Sequence, residues 1–290
     1  KLFKNAVNKF KPDFIFHLAA QSMVKKSYTK TIETWETNLM GTLNLLELLK
    51  SNKKKKIITV IITSDKCYKN VETKKGYKES DKLAGEDPYG ASKSAAEIAF
   101  NSYVKSFFNK KINKNLIVTA RAGNVIGGGD WTEDRLIPDC IKSCIKSRRT
   151  IIRNPYSTRP WQHVLDVIYG YLILASKLKK NKKLHGQSFN FGPNKEYNYR
   201  VIDVLKKSKL FWRTISWNII KNKSFKENSL LNLDNSKAKK ILKWKPNLTF
   251  DKSIKMTIEW YKFYTQKNKN ITMREKSLKQ ISEFCENLKT

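Results

Sequence analysis

Apolar positions in the first part of the chain follow two alternating rhythms. Phe14-Ile15-Phe16-His17-Leu18 is a continuous apolar, aromatic and β-branched run, which predicts a strand over 14–18 buried on both faces of a sheet. Residues 34–50 bring apolar side chains back every three or four positions and predict a helix. The spacing then predicts a strand over 57–63, a helix over 88–109 and a strand over 116–122. Strands alternating with helices of this length imply right-handed crossovers and a doubly wound parallel sheet, the Rossmann-like α/β class.

Beyond Gly123 the rhythm changes. A Gly127-Gly128-Gly129 loop is followed by a predicted helix over 136–146, a short strand over 150–153, a helix over 163–178 and a strand over 188–191. The remainder reads as a small α/β region ending in polar helices, with a lysine-rich tail after Thr265 expected to fray. This divides the chain into a sheet domain over 1–123, joined by 163–192, and a smaller α/β lobe over 124–162 and 193–265. A polar extension covers 266–290. No strand precedes 14–18 and the chain opens on Lys1. The expectation is therefore that the outer N-terminal strands are missing and that the start is a cut.

With 290 residues and 40% hydrophobic content the chain can bury a full core. The apolar run 57–63 is far shorter than the roughly 20 residues of a membrane span, so no membrane partner is expected. Cys67, Cys140, Cys144 and Cys285 show neither CxxC nor Cys/His spacing, so no metal and no disulfide framework is expected, and a reducing cytoplasm fits. The formal net charge is +34, which by itself suggests a polyanionic partner. The lysines are dispersed, as in 177–183 and 237–240, rather than interleaved with aromatics, so the expectation is a solvated basic surface and no nucleic acid. Arg121, Arg135, Arg153 and Arg159 fall instead in the motif-rich middle, where planar guanidinium groups suit phosphate.

Tyr89 and Lys93 share one face of the 88–109 helix, which Asp87 can cap and Pro88 can begin. An ammonium beside a phenol favours the phenolate, so Tyr89 is expected to have its pKa lowered toward neutrality and to serve as a base. Thr63-Ser64-Asp65-Lys66 lies at the carboxyl end of the 57–63 strand, where doubly wound sheets place ligands. A buried acid beside an amine can divide proton-transfer work. Taken singly, each pattern also fits a surface pair or a strand-end turn; together, they point to a site.

In order, His17-Leu18-Ala19-Ala20, Asn38-Leu39-Met40-Gly41-Thr42, Thr63-Ser64-Asp65-Lys66 and Tyr89-Gly90-Ala91-Ser92-Lys93 resemble the extended short-chain dehydrogenase/reductase family acting on nucleotide sugars. Three further segments are similar to its CDP-glucose 4,6-dehydratase branch: Arg121 through Trp131 (RAGNVIGGGDW), Glu133 through Asp139 (EDRLIPD) and Thr158 through Val164 (TRPWQHV). The resemblance implies NAD as cofactor and CDP-glucose as substrate. Hydride leaves carbon 4, water is lost across carbons 5 and 6, and hydride returns to carbon 6. It places Tyr89 as base at the carbon 4 hydroxyl, Lys93 on the nicotinamide ribose and Ser64 on the same hydroxyl. Asp65 and Lys66 share the elimination. The dTDP-glucose dehydratases carry an acid where Lys66 stands, so the amine points to the CDP-glucose branch.

On the cofactor side the resemblance implies Leu18, Ala19, Ala20, Asn38, Thr63 and Ala122, with Tyr89 and Lys93. On the substrate side it implies Gln21, Asn124, Arg135, Leu136, Ile152, Arg153 and Arg159, with Leu136 and Ile152 walling the base pocket. His163 is either a hydrogen-bonded core histidine or a substrate contact. The helices over 32–49 and 94–108 resemble the family's dimer contact. The sequence has no strand–GxGxxG–helix unit, so residues 1–290 alone are expected to bind NAD poorly. An epimerase of the same family, or an inactive fragment serving as an interaction module, is the alternative.

Overall fold

The expected alternation of strands and helices is present in the computed structural model, which describes residues 2–52, 55–73, 75–108, 113–194, 198–220, 230–266 and 270–288. Helix α1 (Leu2–Phe10) precedes strand β1 (Phe14–His17); α2 (Val24–Thr29), α3 (Thr31–Trp35), a π segment (Glu36–Met40) and α4 (Gly41–Ser51) lead to β2 (Ile58–Ile62). Helix α5 (Pro88–Phe107) connects to β3 (Leu116–Ala122). The expected end of α5, Asn109, lies outside the described residues. Next come β4 (Val125–Ile126), α6 (Leu136–Ile145), β5 (Thr150–Ile152), β6 (Thr158–Pro160), β7 (Gln162–His163), α7 (Val164–Lys180) and β8 (Ser188–Phe191). The chain continues through β9 (Asn198–Arg200), α8 (Val201–Phe211), β10 (Trp217–Ile219), α9 (Phe250–Tyr264) and α10 (Met273–Glu286).

Strands β1, β2, β3 and β8 form one sheet in that spatial order, each pair parallel. Ile58 and Val60 of β2 and Leu116, Val118 and Ala120 of β3 pack with Val167, Tyr171, Leu174 and Leu178 of α7. Ile61 and Ile117 pack with Leu45, Leu46 and Leu49 of α4 and Phe100 of α5. Alternate residues of the same strands therefore feed two cores, as the two-residue period of a strand requires, and the sheet is wound on both sides. A third core joins Ile137 and Ile141 of α6, Ile152 of β5, Val204 and Leu205 of α8 and Ile254 and Ile258 of α9. Around it lie three two-stranded sheets: β5 with β10, β4 with β7, and β6 with β9.

Three expectations need correction. Strand β1, paired with β2 alone among the described residues, is not buried on both faces: Phe14 is exposed and the next three residues are half-buried. The helix expected over 34–50 is interrupted by the π segment, a type of bulge that accompanies functional sites. The tail does not fray throughout: α10 has a Thr272–Glu275 capping box, and Gln280 Nε2 donates to Met256 O of α9 at 2.8 Å. Among the described residues, no helix is long and apolar enough to cross a membrane.

Candidate active site

Strand β2 ends in a short turn at Asp65–Cys67, started by Ser64, whose hydroxyl accepts from Lys66 N at 3.2 Å. The turn is pressed onto the first turn of α5. Asp87 caps that helix by accepting from Gly90 N at 2.9 Å, and Pro88 opens it. A Cβ on Gly90 would lie 2.7 Å from Lys66 O, so the backbones touch where only glycine fits. Ser94 Oγ donates to Cys67 O at 2.7 Å and accepts from Gly85 N at 2.8 Å, closing the joint.

This joint brings the predicted catalytic groups together. Tyr89, Ser64, Asp65 and Lys93 are all buried, and Lys66 is half-buried beside them. Ser64 Oγ donates to Asp65 Oδ1 at 3.1 Å, while Asp65 Oδ2 is buried without a partner. A Cβ on Gly123 would lie 2.5 Å from Pro160 Cγ and 2.9 Å from that Oδ2, so the second lobe seals the carboxyl from behind. Burial pushes the Asp65 carboxyl up, against Lys66, Ser64 and Arg159, which pull it down. The net direction is upward, toward the protonated acid.

Tyr89 departs from expectation. Burial pushes its phenol up to about 12, reinforced by Asp65 and Asp87, while a hydrogen bond with Ser64 and the charge of Arg135 pull it back. Lys93 is not among these influences, because its ammonium turns to the end of β2 and donates to Ile62 O at 3.2 Å. Burial lowers Lys93 to about 8, with Glu97 and Cys67 opposing. His17 is lowered to about 4 by burial and by Lys93, and its Nε2 is buried without a partner.

The other predicted residues separate into groups. Leu18 and Ala19 are exposed and Ala20 half-buried in the loop after β1, with Thr63 and Ala122 buried at the carboxyl ends of β2 and β3. Asn38, in the π segment, spends its amide on structure: its Oδ1 accepts from Gln21 N at 2.8 Å, and its Nδ2 donates to Gln21 O and to Ser92 Oγ. Gln21 lines a cleft with Ala20, Ser22 and Thr132. Arg135 donates to Ser22 Oγ at 2.8 Å and Asp130 Oδ2 at 3.2 Å, crossing from the second lobe to the β1 loop. Leu136 begins α6, and Asn124 is half-buried, its carbonyl accepting from Gln162 N.

Arg159 is buried and shares a second cleft with Lys66, Tyr68, Glu86 and Asp87. Ile152 packs in the third core and Arg153 is exposed beyond it. His163 is buried, its Nδ1 capping α7 by accepting from Leu165 N and its Nε2 unpartnered. Sequence reading missed Glu97, which is completely buried and accepts hydrogen bonds from Thr63, Thr119, Ser188 and Arg121. Its position one helical turn beyond Lys93 was the available signal.

Parallel strands with a Tyr-Lys helix beside their carboxyl ends define the extended short-chain dehydrogenase/reductase class. Within it, the chain belongs to the GDP-mannose 4,6 dehydratase family, whose model matches residues 1–257. It is 41% identical over 263 residues to the CDP-glucose 4,6-dehydratase of Salmonella typhimurium strain LT2, covering 89% of this chain and 73% of that one. Similar solved structures include UDP-glucuronic acid 4-epimerase from Bacillus cereus in complex with UDP-glucuronic acid and NAD (TM-score 0.77, 22% identity, 90% of this chain and 78% of that one). Another is dTDP-glucose 4,6-dehydratase from Bacillus anthracis strain Ames in complex with NAD (TM-score 0.74, 20% identity, 90% and 76%).

Proposed function

We propose that this chain is a hydro-lyase that converts CDP-glucose to CDP-4-keto-6-deoxyglucose with NAD as its internal hydride carrier. The observation that carries the reading is the glycine-lined joint that holds the Ser64–Asp65–Lys66 turn against Tyr89. It sets an alcohol-handling pair and an elimination pair around one site. The 41% identity to a CDP-glucose 4,6-dehydratase gives the substrate.

When bound, NAD supplies the hydride acceptor at carbon 4 and the donor at carbon 6. The residues present fit its nicotinamide end: His17 Nε2 is an orphaned buried polar atom and Lys93 a buried ammonium at the same strand ends. Leu18, Ala19, Ala20, Thr63 and Ala122 would line that end. No glycine-rich turn opening a helix is present in residues 1–290 for the pyrophosphate.

Tyr89 takes the proton of the carbon 4 hydroxyl, with the Ser64 hydroxyl between them as hydrogen-bond partner. Burial holds that phenol at about 12, so Tyr89 acts as the base only after giving up its own proton. Once carbon 4 is a ketone, the carbon 5 proton is acidified and Lys66 removes it. Asp65, whose carboxyl burial pushes toward its protonated form, gives a proton to the departing carbon 6 hydroxyl. Arg159 and Arg135, from the second lobe, hold the diphosphate, and this assigns 1–123 with 163–192 to the cofactor side and 124–162 with 193–265 to the substrate side. Four free thiols fit a reducing cytoplasm. Exposed Ile32, Met40 and Ile98, on helical segments packed beside each other, provide a homodimer contact.

The test is incubation of the protein with CDP-glucose and excess NAD, with the product read by mass spectrometry. A nucleotide sugar lighter by one water supports the proposal. An isomer of unchanged mass, or CDP-glucose and NAD both bound without turnover, contradicts it.

A further inference from the structure

Tyr89, Lys93 and Glu97 stand at successive turns of α5, on one stripe. Glu97 is the only one of the three with a fully engaged side chain. Its carboxylate meets Arg121 of β3 in a two-pronged pair, Arg121 Nε to Oε1 at 2.9 Å and Nη2 to Oε2 at 2.7 Å. It also accepts from Thr63 Oγ1 at 2.6 Å, Thr119 Oγ1 at 3.0 Å and Ser188 Oγ at 3.2 Å. Arg121 in turn donates to Tyr68 Oη at 2.7 Å and Glu79 O at 3.2 Å. Both partners of the ion pair are almost wholly enclosed.

Such a pair is weak grounds for a stabilising role, because desolvating two charges offsets their attraction and apolar residues of like volume hold a core equally well. What an apolar pair could not do is visible in the geometry. Thr63 directly precedes Ser64 and Asp65, and Lys93 Nζ reaches the adjoining Ile62 carbonyl. One carboxylate therefore touches the residue leading into the elimination pair, from a position one helical turn beyond Lys93 of the alcohol pair. We propose that Glu97, fixed by Arg121, is a positioning residue that keeps Lys93 charged and ties the Ser64–Asp65 strand tip to α5. The inference rests on the reading of Lys93 as part of the reacting site.

The groups facing Lys93 are Tyr89 and Glu97 on its own helix, Cys67 in the turn after β2 and His17 on β1, with Arg121 behind Glu97. Of these, Glu97 is the anion that supports the ammonium against burial. The test is NMR titration of isotope-labelled lysine in the full chain without ligand, with the Lys93 signal assigned by its loss in Lys93→Arg. The native midpoint should stand near 8, apart from the surface lysines. Glu97→Gln should lower it by about one pH unit, and Glu97→Asp should recover part of the shift. The double variant Glu97→Leu/Arg121→Met should remain folded and show the lowered midpoint. A folded Glu97→Gln or double variant with an unmoved Lys93 midpoint overturns the inference alone. A native Lys93 that titrates with the surface lysines would instead sink the reading of the site.

Discussion

At the scale of single residues, the site separates into two proton-transfer pairs whose environments differ. Asp65 is enclosed, with one oxygen on Ser64 and the other unpartnered, whereas Lys66 borders an open cleft with Arg159. A buried acid pushed toward its protonated form, beside an amine that borders a cleft, suits the proposed division of the elimination. Tyr89→Phe is expected to cut oxidation at carbon 4 by about 10²- to 10⁴-fold, the usual contribution of one acid–base group. Lys66→Ala should spare that oxidation and depress loss of water instead. Single-turnover measurement of NADH appearance and of dehydrated product separates the steps, and equal losses in both for Lys66→Ala would contradict the division.

At the scale of elements, the joint between the β2 tip and α5 gives these residues their common address. Gly90→Ala places a methyl 2.7 Å from Lys66 O and should cost about 1–3 kcal/mol in denaturant unfolding while weakening turnover. Unchanged stability would show the contact to be loose. At the start of α7, burial holds His163 down at about 4, below its ordinary 6.5. The unfolded chain therefore binds the proton more readily, so this residue's contribution is present above pH 6.5 and is lost as pH falls toward 4. His163→Asn, which keeps a capping side chain, should reduce the stability lost between pH 7 and 5 by about 2 kcal/mol. An unaltered acid profile would contradict this. Much of this level was legible in the sequence: 116–122 and 188–191 form strands over those very residues, and Asp87 and Pro88 start α5 as their chemistry suggests. The π segment was not, because the amide of Asn38 serves Gln21 and Ser92, contacts that no local periodicity encodes. Nor was the raised phenol of Tyr89, since spacing puts Lys93 on the same face but only the fold turns its ammonium to Ile62 O.

At the scale of the whole molecule, two cores flank one sheet and a third builds the lobe that reaches back to it through Arg135 and Pro160. The site lies at the carboxyl ends of parallel strands, as doubly wound sheets require. Ile98 is 58% exposed on α5, and the proposed dimer predicts that Ile98→Glu yields a monomer by light scattering while the native chain runs as a pair. A native monomer would remove that part of the account. The central claim is that oxidation, elimination and reduction occur on one hexose without release of hydride. It is tested most directly with CDP-glucose carrying deuterium at carbon 4. The account predicts that the label appears at carbon 6 of the 4-keto-6-deoxy product. Label lost to solvent, or returned to carbon 4 of an epimer, would contradict it.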